Sequence, residues 1–362
     1  MKNIKLPKNQ KLNIESFSNI LELKMLTNSY KLYWFFAIFE EIKKGKERIT
    51  FQKIVHRMIA KSWYSIIEYR LNFGLKDQLS EIVNYIYFKY SFDKNIKEEK
   101  LIEELLKIND LKLNKKIKLL FDYVPYRLLR PFFPELRGIS DGKINKLIVE
   151  LSNKNNNAIY KINEIEKEII IHENWFKYIY ENQTIIEGWI ISKLTFFLQT
   201  RNRNVPAIPF KIYAPQKRNL QIATNYWRKV IDINKTKDIY TGINLQKNIS
   251  IDHFIPWSFV LHDELWNLIP TIREVNSSKN DRLPNLDLFL NNFCETQYTG
   301  LKVALNNNFP KKEIEDYFTI IKDIEYKKDF SKDIFIKNLK DTIVPIYQIA
   351  KNQGFLLWNK TI

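Results

Sequence analysis

DIYTGINLQKNISIDHFIPWSFVLHDELWNLIPTIREVNSSKNDRLP, residues 238–284, is the stretch on which the reading of this 362-residue chain turns. Ile249 and Ile251 flank Ser250, an alternation that predicts a short strand with Asp252 and His253 at its exit. Neighbours there point to opposite sides, so one can face a metal and the other a substrate. Thr271-Ile272-Arg273-Glu274 has the form of a capping box, in which threonine and glutamate satisfy each other's orphan amides and start a helix. Asn276 then falls in the early turns of that helix, and Lys279, three residues on, shares its face. Strand, loop, strand and helix would close around one cation.

Asp252-His253 precedes Pro256, Asn267 lies within Trp-Asn-Leu, and Asn276 follows, at intervals of 15 and 9 residues, with Lys279 and Leu283-Pro284 beyond. This pattern resembles the HNH endonuclease family, and its spacing is similar to that of the HNH domain of RNA-guided CRISPR effectors. The resemblance implies an embedded ββα-metal unit over about 50 of the 362 residues. Phosphodiester hydrolysis needs an activated water and neutralised charge on the phosphorane. A carboxylate oxygen and an amide oxygen make a hard, incompletely filled site suited to Mg²⁺ or Mn²⁺, which assigns Asp252 and Asn276 as metal ligands. A neutral imidazole suits the general base, which assigns His253. Asn267 is expected to hold the loop that carries His253, and Lys279 to contact a phosphate oxygen. Many relatives brace this fold with zinc on two CxxC pairs. Where the first pair would sit this chain has Ile239-Tyr240-Thr241-Gly242, and Cys294 is its single cysteine. No structural zinc is expected, and packing against flanking helices must replace the brace. Trp257 and Trp266 read as aromatic anchors of the small unit, His262 as a solvated loop residue, and His56 and His172 as structural.

The segment 227–290 holds eight basic and eight acidic residues, so affinity for a polyanion must come from elsewhere. Just before it, residues 201–230 carry Arg201, Arg203, Lys211, Lys217, Arg218, Arg228 and Lys229 with no Asp or Glu. These seven are the leading candidates for DNA contact, as duplex, and the run at 111–160 is second. The whole chain, at 58 Lys+Arg against 41 Asp+Glu, has a formal charge of +17, a balance suited to a polyanionic partner.

Outward from this centre the pattern is mainly helical. From Thr27 apolar positions recur at three and four, and Gly45 reads as a helix stop. Thr50 reads as the cap of a second helix, and residues 76–107 as one or two amphipathic helices. Residues 121–138, with three prolines among aromatics and arginines, read as an ordered, packed loop. Beyond an exposed loop at 153–158, Ala158–Asn163 and Glu168–His172 alternate as a hairpin. Trp175–Tyr180 opens a helix, Ile185–Leu198 is apolar enough to be a buried one, and the chain from 291 is helical in period, with Pro310 and Pro345 as punctuation. The fold class is α+β, mainly α-helical. Its expected parts are a helical domain at 1–195, a basic connecting segment at 196–230, the nuclease unit at 231–290 and a helical region at 291–362.

The longest early apolar run, Leu32–Phe39, stops at Glu40, far short of the ~20 residues that cross a bilayer. No apolar segment follows the N-terminal lysines. With one thiol, these features fit a cytoplasmic protein with no membrane partner. The resemblance implies a metal-dependent DNA endonuclease and, by resemblance alone to standalone HNH proteins of this size, a prokaryotic effector of restriction or anti-phage defence. Two alternatives stay open: a homing or mobile-element nuclease, and a nucleic-acid-binding subunit whose nuclease needs a partner. Whether the chain forms a homodimer or joins a partner defence subunit is also open.

Overall fold

In a computed structural model, residues 4–246, 248–321 and 330–359 are described. The chain falls into two compact units, one of Met1–Arg203 with Ile208–Pro215, the other of Asn204–Ala207 with Gln216–Ile362. Among the described residues no helix is long and apolar enough to cross a membrane.

The first unit is built around helix Tyr30–Lys43, whose residues from Leu32 to Phe39 are all buried. A helix apolar on every side must be surrounded, and so it lies at the centre of the core. It ends as expected at Gly45, whose φ of +76° is strained for any residue with a Cβ. Helix Phe51–Trp63 starts on Thr50, whose hydroxyl accepts the Lys53 amide at 3.3 Å. The 76–107 pattern becomes helices Gln78–Tyr90 and Glu98–Lys107. Arg57, 2% exposed, is satisfied by carboxylates on three sides: Glu41 at 2.6 Å and Glu98 and Glu99 at 2.8 Å. A buried guanidinium is tolerable only with such pairing.

A three-stranded antiparallel sheet completes this unit, from β1 (Arg48–Thr50), β2 (Tyr160–Asn163) and β3 (Glu168–Ile171), in the order β1-β3-β2. The expected hairpin pairs Tyr160 with Ile171 through Asn163 with Glu168. β1 is not visible in the sequence, because three residues are too few to show alternation. Residues 121–138 are ordered but more helical than expected, with helix Val124–Leu129 and two 3₁₀ turns at Arg130–Phe132 and Pro134–Leu136. Pro125 sits in a first turn, where its missing N–H costs nothing.

The second unit packs helices Gln221–Ile233, Leu286–Asn306 and Lys332–Asn352 with a hairpin of β4 (Ser250–His253) and β5 (Leu268–Thr271). Pro310 opens a 3₁₀ turn as punctuation would, but Pro345 lies inside the last helix. Packing holds the hairpin from several directions. Trp227 donates its Nε1–H to the Leu268 carbonyl at 3.1 Å. A Cβ on Gly300 would come within 2.9 Å of the Trp227 ring, so glycine there permits the approach of helix Leu286–Asn306. Phe254 stacks on Phe293 at 4.0 Å between centroids, and Gln297 donates to the carbonyls of Leu265 and Leu268.

Candidate active site

β4 and β5 are antiparallel, with Ser250 opposite Thr271, Ile251 opposite Pro270, Asp252 opposite Ile269 and His253 opposite Leu268. Asp252 and His253 are therefore the last two paired residues of the strand, at its exit, and the pleat sends their side chains to opposite faces. Helix Arg273–Lys279 follows β5 directly. It does not start on the expected capping box. Ile272 is its cap, and the Thr271 hydroxyl instead donates to Asp238 Oδ2 at 2.5 Å.

Asp252 is 3% exposed and both its oxygens are engaged. Oδ2 accepts from the Tyr240 hydroxyl at 2.6 Å, and Oδ1 from Lys279 Nζ at 3.0 Å. Burial, and then the Asp252 carboxylate, push the Tyr240 phenol well above its ordinary pKa, so it remains a donor to that carboxylate. Lys279 is wholly buried and also donates to the His253 carbonyl at 2.7 Å. The expectation that Lys279 reaches out to a phosphate is corrected here. A buried ammonium demands an anion and acceptors, and it finds them in Asp252 and the strand backbone.

His253, 5% exposed, points Nε2 at Asp263 Oδ1, 2.8 Å away. Nothing in the sequence singles out Asp263, because it reaches His253 across a ten-residue loop and by no periodic spacing. Asn267 is fully buried and clasps that loop from both ends of its amide. Its Oδ1 accepts the Ile255 amide at 2.8 Å, and its Nδ2 donates to the Ile255 carbonyl at 2.9 Å. The backbone two residues past His253 is thereby fixed. Asn276, on the helix, donates Nδ2 to Ser250 Oγ at 2.6 Å and to the Ile251 carbonyl at 3.3 Å. With its nitrogen committed to β4, its oxygen is the atom left to a ligand.

Asp238 does the work of a brace. Its Oδ1 accepts the amides of Tyr240 and Thr241 at 2.7 and 3.1 Å, and its Oδ2 takes Thr271 Oγ1 and the Ile272 amide. One carboxylate thus ties the Ile239-Tyr240-Thr241-Gly242 turn to the junction of β5 and the helix. Tyr240 packs edge-on to Phe289 and Trp358, at 5.1 and 5.2 Å, which carries the brace into the flanking helical region.

The two tryptophans differ. Trp266 is buried and donates to Glu264, with the half-buried His262 ring 5.2 Å away. Trp257, expected in the core, is half-buried, with the Arg218 guanidinium 5.4 Å from its ring. The basic run is divided between the two units. Arg201, Arg203 and Lys211 belong to the first unit; Lys217, Arg218, Arg228 and Lys229 belong to the second. Lys211 is fully buried, and burial lowers its pKa to about 7, so its assignment to DNA is corrected. Arg201 lies on the Phe197 ring at 3.6 Å and donates to the carbonyls of Phe197 and Thr27. Lys229 is paired with Glu313 at 2.9 Å. Arg203, Lys217, Arg218 and Arg228 are exposed.

An Asp-His pair on a hairpin, an asparagine clasp beneath it and an asparagine oxygen on the following helix form one constellation within 50 residues. Residues 236–285 match the HNH endonuclease family. This segment is similar to HNH endonuclease domains, and nuclease activity on nucleic acid is what that similarity suggests. The match names this segment of the second unit and leaves the rest of the chain unnamed. No curated protein and no solved structure matches the chain.

HNH nucleases generally use divalent metal ions. The donor set suits a hard ion: the Asp252 carboxylate, and an Asn276 oxygen whose amide nitrogen is tied down elsewhere. Among the described residues no three His, Cys, Asp or Glu side chains group as ion ligands. An ion here would depend on water and substrate oxygens for the rest of its shell. Lys279 is the complication, because its ammonium already neutralises Asp252.

Proposed function

We propose that this protein is a metal-dependent HNH endonuclease that hydrolyses DNA phosphodiester bonds in the cytoplasm. The observation that carries this reading is the joint placement of His253, Asp252 and Asn276 on two adjoining elements, with His253 oriented by Asp263.

Asp252 and Asn276 would hold Mg²⁺ or Mn²⁺, which when bound stabilises charge on the scissile phosphate. His253 is the general base. When its Nε2–H is donated to Asp263, the imidazole is held in one tautomer and Nδ1 is the basic nitrogen that takes the proton of the attacking water. Asn267 fixes the backbone after His253, so that the ring keeps its direction. Lys279 and the Tyr240 hydroxyl orient the Asp252 carboxylate. Lys279 also keeps its charge neutralised until an ion arrives. Arg218 over Trp257 offers a cation and an aromatic face four residues along from His253, suited to a phosphate and a base. Lys217 and Arg228 are exposed cations on the same unit, and Arg203 is one on the other.

A role in restriction or anti-phage defence rests on the sequence resemblance alone. The reading is tested with labelled duplex DNA, single-stranded DNA and RNA, each incubated with Mg²⁺, Mn²⁺ or EDTA. Ion-dependent cutting of duplex DNA that is lost in Asn276→Ala supports it. Cutting that persists in EDTA, or that is confined to RNA, refutes it.

A further inference from the structure

Outside the nuclease domain, the first unit contains a surface pocket of about 240 Å³ whose polar lining includes Tyr30, Lys31, Lys76, Gln78, Tyr123 and Arg127. Three cations from three separate elements converge on it. Lys31 lies in the first turn of helix Tyr30–Lys43, Lys76 in the loop before helix Gln78–Tyr90, and Arg127 on helix Val124–Leu129. Among the described residues neither Lys31 nor Lys76 is in an ion pair. Two nearby acids are already committed. Asp77 accepts the amides of Ser29, Leu79 and Ser80, and Glu81 pairs with Lys116 at 3.0 Å.

Lys31 is half-buried, and like charges beside a half-buried ammonium disfavour its charged form. Burial, and then the guanidinium groups of Arg130 and Arg127, hold the Lys31 ammonium down at about 8. An anion entering the pocket relieves that repulsion. The pocket also offers a ring. Tyr123 is 44% exposed, and the Arg127 guanidinium stacks on it at 4.5 Å, leaving an aromatic surface beside the cations. The volume approaches the ~300 Å³ lower bound of small-molecule sites.

We propose that this pocket binds a nucleoside phosphate, with the phosphoryl group on Lys31, Lys76 and Arg127 and the base against Tyr123. Lysine supplies point charge and arginine a planar fork to phosphate oxygens, and an exposed tyrosine face stacks any base. A pocket of about 240 Å³ suits one nucleotide better than a strand passing through. The proposal is independent of the nuclease reading, since no residue of the HNH domain lines the pocket.

The test is isothermal titration of the full chain with AMP, ATP, inorganic phosphate and a single-stranded oligonucleotide lacking terminal phosphates. Saturable binding of AMP or ATP is expected, weakened about tenfold or more in Lys31→Gln and in Arg127→Gln, as loss of a charged hydrogen bond requires. Lys100→Gln, an exposed change on another helix, is expected to leave it unchanged. Should a pocket variant fail to fold by circular dichroism, Tyr123→Ala carries the test, because its ring is largely outside the core. It is expected to weaken the nucleotide and spare inorganic phosphate. Inorganic phosphate binding as tightly as AMP and ATP would overturn the nucleoside part. Absence of saturable binding, equal binding in the pocket variants, or displacement of the nucleotide by the oligonucleotide would overturn the whole.

Discussion

Lys279→Met removes the ammonium from Asp252 while nearly preserving side-chain volume, so its effect isolates the charge. The partners are 0% and 3% exposed and 3.0 Å apart, and solvent does little to screen them. Breaking a buried pair by deleting one member costs ~3–5 kcal/mol. Tyr240 still donates to the other carboxylate oxygen, which favours the lower end. For a unit of about 150 residues, ~3 kcal/mol corresponds to a loss of roughly 6–12 °C in Tm. The same variant should respond more strongly to Mg²⁺ or Mn²⁺, because the ion becomes the remaining cation for Asp252. A tenfold tighter site adds about 1.4 kcal/mol at saturating ion, or roughly 3–5 °C beyond the wild-type shift. Differential scanning calorimetry in EDTA and in each ion reads both effects. A variant that melts within about 2 °C of wild type in EDTA and gains no larger ion shift would refute the view that Lys279 is the resident counter-charge of Asp252.

Asp263→Asn keeps the size of the group at His253 Nε2 but removes its charge, and is expected to lower the cleavage rate by about tenfold or more with little change in Tm; an unchanged rate would show that Asp263 has no part in orienting the base. His56 is buried in the first unit and its pKa falls from 6.5 to about 4 by desolvation. The unfolded chain therefore takes up a proton first, and the stability present above pH 6.5 is lost as pH falls toward 4. Urea melts at pH 7 and near pH 4.5 should show His56→Phe spared roughly 2–3 kcal/mol of the wild-type loss, and equal losses would contradict this. Gly300→Ala gains ~1 kcal/mol of helix propensity but meets the Trp227 ring at 2.9 Å. Because Trp227 is pinned by its bond to Leu268, overpacking of ~1–3 kcal/mol should win and lower Tm; a raised Tm would show that the ring can yield.

The parts of the site that were legible in the sequence are those joined by short-range geometry. Asp252, His253, Asn267 and Asn276 lie on a hairpin and the helix after it, so chain spacing alone brings them together. Asp238, Tyr240 and Asp263 act through side-chain bonds to residues 10 to 34 positions away, and no local period marks such bonds. The capping box at Thr271 failed for the same reason: a stronger acceptor, Asp238, arrives from a distant turn and takes the threonine. Lys211 was misread because charge counted along a line ignores direction. Lys211 turns into the core, and Lys229 meets Glu313. Helix ends at Gly45 and Thr50 were legible because backbone conformation and side-chain capping act locally, whereas the three-residue β1 exists only through its partner strand.

The proposed chemistry depends most on His253, and the direct measurement is conversion of supercoiled plasmid in Mg²⁺ by wild type and by His253→Ala, followed as nicked and linear product. Nicked circles from wild type, and a rate reduced by ~10² or more in a variant with unchanged circular dichroism, are the expected result. Cleavage by His253→Ala within about threefold of wild type would contradict His253 as the base under that same expectation, and with it the active site described above.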